Sequence, residues 1–200
     1  VEDHGIPSDP IRIVLSGGIG SGKSTVARRL AARGAVVVSA DELGHRVLEP
    51  GGEAFAAVAR RWPAAVVEGR IDRRRLAAIV FRDPDELAAL EAMTHPAIAR
   101  RVAAEVTAAG ARPVVVELPV LGREIVGGDF LHVLVEAPEE VRLRRVVARG
   151  GDPEDAARRI AVQPAPEEWR RWADVVIVND GDLEELDARV EELWRRLLDP

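Results

Sequence analysis

Residues 11–38, IRIVLSGGIGSGKSTVARRLAARGAVVV, decide the fold. The run IRIVLS at 11–16 is short, apolar and followed by glycine, which predicts a buried strand. Residues 23–33 bring Val26, Leu30 and a set of alanines round at helical spacing, and Gly34 is the residue type that ends such a helix. AVVV at 35–38 predicts a second strand. Strand, glycine-rich loop, helix and strand in that order open an α/β fold with a parallel sheet and right-handed crossovers.

The loop in the middle carries chemistry. Gly17, Gly18, Ile19, Gly20, Ser21, Gly22, Lys23 and Ser24 complete G-x-x-x-x-G-K-[ST] without a gap. Glycines let consecutive backbone N–H groups turn inward round phosphate oxygens, and the helix that follows adds its positive end. Lys23 is spaced to reach the β- and γ-phosphates of a nucleoside triphosphate, and the Ser24 hydroxyl to ligate Mg²⁺. Of 28 basic residues 27 are arginine; Lys23 is the one lysine. An arginine-rich chain that keeps a single lysine at this position points to a nucleoside triphosphate and Mg²⁺ as ligands.

Outward from the loop, residues 41–110 show no strand longer than a few residues. They carry helical stretches near 41–48, 52–61, 73–81 and 84–109, with expected breaks at 50–52, at Trp62-Pro63 and at His95-Pro96. We read 41–110 as a helical insertion. Strand signals return at 113–118 and 131–136. Residues 138–162 read as helical, interrupted at 150–153. A last strand at 174–178 precedes the turn Asn179-Asp180-Gly181 and an amphipathic helix over 182–198. The whole of 11–200 is expected to be one domain, with residues 1–10 a loose leader.

Composition bounds the rest. A net charge of −6 and a pI near 5.4 offer no nucleic-acid surface. Without cysteine there is no disulfide, thiolate nucleophile or thiolate metal site. No signal-peptide pattern opens the chain, and no apolar run approaches the roughly 18 residues that span a membrane. These features lead us to expect a cytoplasmic protein without a membrane partner; they leave its oligomeric state open.

A guanine-reading N-K-x-D segment needs a second lysine, so a switch GTPase is excluded. A carboxylate just after the second strand suits a small-molecule kinase, and Asp41 stands there. It can take a proton from an acceptor hydroxyl, or merely cap the helix it precedes.

The chain resembles the dephospho-coenzyme A kinase family, which completes coenzyme A synthesis. The resemblance rests on GGIGSGKSTVA (17–27), SADELGHRVLEPGG (39–52), GRIDRRRLAAIVF (69–81), LEAMTHPAI (90–98), VELPVL (116–121), RRVVARG (144–150) and ADVVIVNDG (173–181). It implies a five-stranded parallel P-loop kinase sheet with a helical acceptor-binding insertion (41–110) and a lid (142–172), with ATP as donor and dephospho-coenzyme A as acceptor. By position it implies Asp41 as the catalytic carboxylate, Glu117 beside Ser24 at the metal, and Thr25 with the loop at the nucleotide. Arg149 matches a lid arginine that stabilises the transferring phosphoryl group, and Gln163 continues the lid. Arg142, Arg145 and Arg149 are spaced i, i+3, i+7, hence on one helical face; surface placement competes with a ligand role, most strongly for Arg142. Asn179 falls in the loop expected near adenine, although Asn-Asp-Gly is also a natural turn. His95-Pro96 is expected to shape the insertion.

The chain departs from the family at Ser39, where a first aspartate is usual, and at Arg123, where a glutamate is usual, with Glu124 one residue late. Ser16 replaces a common threonine, and Pro164 and Pro166 stiffen the end of the lid. A shikimate, nucleoside or nucleotide kinase, and more distantly a P-loop switch protein, are the alternatives.

Overall fold

The structure is a computed structural model that describes residues 10–118 and 125–198. In β1 (Arg12–Ser16), Ile13, Val14 and Leu15 are at most 2% exposed, so both faces of the strand are covered. It is the middle of a five-stranded parallel sheet. The order is β2 (Val36–Ser39), β5 (Val114–Glu117), β1, β6 (Leu131–Glu136) and β7 (Val175–Val178). Leu15 lies opposite Glu117 on one side and Val133 on the other. The chain leaves β1 toward the β2 edge, returns to insert β5, and then crosses to β6 on the far side of β1. The order therefore reverses between β1 and β6. The crevice outside the strand carboxyl ends at such a switch point is where open α/β sheets bind ligands, and the glycine-rich loop leaves β1 there.

Helix α1 (Lys23–Ala31) closes as its glycine predicts. Gly34 has φ 101°, Ala35 N–H donates to Leu30 and Gly34 N–H to Ala31, the paired bonds of a Schellman cap. Its apolar side joins α9 (Leu183–Leu198) in one core through Val26, Leu30, Leu186, Val190 and Leu193. Arg33 adds two bonds to Glu191 at 2.9 and 2.7 Å. After β6 come α6 (Glu139–Ala148), α7 (Pro153–Ala161) and α8 (Pro166–Arg170). The expected interruption at 150–153 is a second Schellman turn followed by Asp152, which caps α7 by accepting from Asp155 N–H at 2.8 Å. Pro166 does more than stiffen: it opens α8 at the first helical position and brings Trp169 into the interior.

Among the described residues the chain forms two compact units, one of 10–38, 106–118 and 128–198, the other of 39–105 and 125–127. The second contains α2 (Ala40–Val47), α3 (Phe55–Arg61), a 3₁₀ turn at Pro63–Ala65, the hairpin β3 (Val66–Val67) and β4 (Arg70–Ile71), α4 (Arg73–Val80), and most of α5 (Pro84–Ala109). Glu68 and Gly69 both have positive φ, as a two-residue type I′ turn requires.

The expected break at His95-Pro96 does not occur: α5 runs straight through Pro96. Proline inside a helix costs about 3 kcal/mol. Burial of Ile98 and Val102, at about 1.5–3 kcal/mol each, offsets it. The Thr94 hydroxyl also donates to the Leu90 carbonyl at 2.9 Å one turn earlier. At the other end, Glu86 accepts from Arg61 at 2.9 Å and from Trp62 Nε1 at 2.6 Å, which ties α3 to the first turn of α5. Those donors hold the Glu86 carboxyl below its ordinary value.

Candidate nucleotide-binding site

The loop is folded as a cradle before any ligand is considered. A Cβ at Gly17 would run into the Val135 carbonyl of β6, and one at Gly22 into the side-chain amide of Asn179. Both positions therefore need glycine. Gly22, with φ 99°, stands at the N-cap of α1 and offers no side-chain acceptor, so the amide end of the helix is left for an anion. Ser21 N–H closes the turn on Gly18 at 3.1 Å.

Lys23, Ser24 and Glu117 meet at one point. Lys23 Nζ donates to Glu117 Oε1 at 2.9 Å, and the Ser24 hydroxyl donates to the same oxygen at 2.8 Å. The parallel register puts this carboxylate at the end of β5, beside β1. It is only 15% exposed, so Glu117 is no solvated strand end. Hydroxyl and carboxylate are both hard oxygen donors, and they are close enough to share one small cation. Among the described residues no three His, Cys, Asp or Glu gather as a complete cage. That donor set fits Mg²⁺, which keeps several waters and takes one or two protein ligands with the phosphates.

The third side of the cradle comes from α6 and the segment after α7. Arg142 Nε donates to the Ile19 carbonyl at 2.9 Å, and Ile19 N–H donates to Gln163 Oε1 at 3.1 Å. Arg142 also donates to Gln163 Oε1. Surface placement, which competed most strongly with a ligand role for Arg142, does not describe it: its guanidinium is turned to the loop, and burial pushes it below its ordinary value. A cleft of about 430 Å³ opens beside it at the end of β6, lined by Glu139, Arg142, Gln163 and Pro164.

Arg145 donates to the Asn179 carbonyl at 3.0 Å and to Asn179 Oδ1 at 3.2 Å. Burial, then repulsion from Arg144 and Arg149, holds it below its ordinary value. Asn179, 4% exposed, donates through Nδ2 to the Ser21 carbonyl at 2.7 Å. Its side chain faces the loop and braces the cradle. Asn179→Ala would leave Ser21 and Arg145 short of buried partners. It is expected to lower stability by about 1–3 kcal/mol, read from chemical denaturation, and to weaken ATP binding.

Arg149 lies one residue beyond α6, exposed at its C-cap, and Thr25 sits in the first turn of α1, where its hydroxyl accepts from Arg28 at 3.3 Å. Arg142 and Arg145 thus face the loop region from within α6, while Arg149 stands outside the helix that was expected to carry all three.

Asp41 belongs to the second unit. The cap of α2 is Ser39, whose hydroxyl accepts from Glu42 N–H at 3.3 Å. The departure at Ser39 therefore has a structural use, and it relieves Asp41 of the capping role. Asp41 is 65% exposed, with Oδ1 3.5 Å from His45 Nε2. Residues 119–124, with the departure at Arg123 and the displaced Glu124, lie outside the described residues.

Comparison with known proteins covers the same span. The family model for dephospho-CoA kinase matches residues 11–185. A dephospho-CoA kinase of Thermobifida fusca is 42% identical over 192 residues, covering 94% of this chain and 96% of its own. One of Deinococcus radiodurans is 43% identical, covering 96% and 94%. A crystal structure from Thermus thermophilus superposes with a TM-score of 0.83 at 40% identity, over 95% of this chain and 99% of that one. A dephospho-CoA kinase from Campylobacter jejuni shares the fold, with a TM-score of 0.68 at 22% identity and coverage of 94% and 96%.

Proposed function

The chain belongs to the dephospho-CoA kinase family, and from that membership we propose how its residues complete coenzyme A. The reaction transfers the γ-phosphoryl group of ATP to the ribose 3′-hydroxyl of dephospho-CoA and releases ADP. The observation that carries the chemistry is the convergence of Lys23 and Ser24 on one oxygen of Glu117 at the mouth of the glycine-rich loop. A match that runs through the insertion as well as the loop does not favour the alternative kinases or a switch protein.

Residues Gly17 to Thr25 hold the triphosphate, with loop amides and the end of α1 on the phosphate oxygens. Lys23 exchanges Glu117 for the β- and γ-phosphates. Ser24 and Glu117 would hold Mg²⁺, which neutralises charge on the β- and γ-oxygens. Asp41 accepts the 3′-hydroxyl proton as the new P–O bond forms and the bond to the ADP oxygen breaks; its assignment rests on its position after β2. Arg149 stabilises negative charge on the transferring group, while Arg145 stands at the nucleotide side, held by Asn179. The region 142–172 acts as a lid that excludes water and so suppresses hydrolysis of ATP. Two partly buried arginines, Arg142 and Arg145, have guanidiniums already disfavoured by burial, a cost that a phosphate beside them relieves. We place the reaction in the cytoplasm, as the cysteine-free sequence allows. Among the described residues no helix is long and apolar enough to cross a membrane.

The test is a coupled assay in which purified protein, MgATP and dephospho-CoA are followed for ADP and coenzyme A together. Equal formation of both is expected. ADP without dependence on the acceptor, or no ADP at all, would remove dephospho-CoA as the substrate.

A further inference from the structure

The second unit holds a cleft of about 330 Å³ that the catalytic scheme does not use. It is lined by His45, Leu48 and Glu49 of α2 and the turn after it, by Arg70 and Ile71 of β4, and by Arg73 of α4. Its charge is unbalanced: two guanidiniums and an imidazole face one carboxylate, Glu49. Two other arginines of this unit are matched to acids, Arg61 to Glu86 and Arg101 to Glu53. Among the described residues neither Arg70 nor Arg73 has a carboxylate within ion-pair distance, and both are exposed. Arg73 also opens α4, where the helix dipole makes a further positive charge unfavourable. The first turn of α4 has no acid to compensate, and its aspartate, Asp72, is engaged as the cap by Arg74 and Arg75 N–H.

The cleft is joined to Asp41. His45 lines it, and the same imidazole lies 3.5 Å from Asp41 one turn earlier on α2. Four residues of helix rise about 6 Å, so an anion held by Arg70 and Arg73 beside His45 lies a short step from the carboxylate proposed to take the proton. The acceptor has a matching layout: its diphosphate hangs from the 5′-carbon of the ribose whose 3′-hydroxyl reacts.

We propose that the Arg70–Arg73–His45 cleft binds the diphosphate of the acceptor and so orients its ribose toward Asp41. This rests on the kinase reading above for the identity of the acceptor. Arginine pairs are suited to the task because the planar fork donates two parallel bonds to a phosphate.

The experiment is titration calorimetry of the full chain with dephospho-CoA, and separately with MgATP, for wild type, the double variant Arg70→Gln/Arg73→Gln, and Arg60→Gln as an exposed cation off the cleft. Thermal melts confirm that each variant is folded. The double variant is expected to bind dephospho-CoA about ten- to a hundredfold more weakly, with MgATP affinity unchanged and Arg60→Gln like wild type. Equal affinity for dephospho-CoA in all three proteins overturns the proposal. So does an equal loss in Arg60→Gln, which would be bulk charge, or an equal loss for MgATP, which would make the cleft a donor site. Turnover of the wild type separates the two readings. Binding that depends on the arginines without coenzyme A formation sinks the kinase reading and leaves the cleft. Normal turnover with unaltered binding in the double variant sinks the cleft alone. A wild type that does not bind dephospho-CoA sinks both.

Discussion

Lys23→Ala is expected to lower kcat/KM for ATP by about 10²–10³-fold or more, the range found when one preorganised donor to developing charge is removed. No other lysine can substitute, because the chain has only this one. The nearby arginines are otherwise held, Arg142 by Ile19 and Arg145 by Asn179. The loss should be visible in both KM for ATP and kcat, since Lys23 is assigned to phosphates bound in the ground state and to charge that grows in the transition state. Ser24 still donates to Glu117, so the fold of the loop is expected to persist and the melting temperature to fall little. Steady-state kinetics at saturating dephospho-CoA make the measurement; a loss of less than tenfold would take Lys23 out of the mechanism.

Asp41→Asn is expected to reduce kcat by about 10²–10⁴-fold, the contribution of a positioned general base. Its selectivity makes it the sharper test. Ser39 already caps α2, so the variant removes no cap, and an exposed asparagine is tolerated in the first helical turn. ATP affinity and melting temperature should stay close to those of the wild type. Asparagine keeps the shape and an oxygen acceptor but cannot take the proton. Single-turnover measurements with preformed enzyme–ATP complex isolate the chemical step. Unchanged turnover would leave Asp41 as a helix-surface residue and require another group to take the proton.

The parts of the molecule written in local pattern were legible before the structure. The strand–loop–helix opening, the glycine that ends α1 and the five strands follow from apolar runs and turn residues that neighbour one another. The parts that depend on distant partners were not. Gln163 meets Ile19 across 144 positions and Asn179 meets Ser21 across 158, and no periodicity links residues so far apart. Spacing on α6 told which face Arg142 and Arg145 share but not that the loop lies opposite it. The β3–β4 hairpin has two residues per strand, too few for alternation to register. Pro96 misled because its local penalty is real but is outweighed by burial that only the folded unit supplies. Position alone left Asp41 even between cap and base, and the hydroxyl of Ser39 in the capping position removes the first reading. The acceptor cleft is assembled from two of the segments that carry the family resemblance, 39–52 and 69–81, but nothing local in either says that they meet.

The meeting of Lys23 with Glu117 has a practical consequence for labelling chemistry. With one lysine in 200 residues, an amine-selective acylating reagent has a single ε-amino target beyond the terminal amine. That target is only 16% exposed and hydrogen-bonded to a carboxylate at the mouth of the phosphate cradle. Intact-mass spectrometry therefore becomes an occupancy gauge. One slow increment at Lys23 should appear in the free protein and disappear when a triphosphate covers the amine, so ligand affinity can be titrated without following turnover at all.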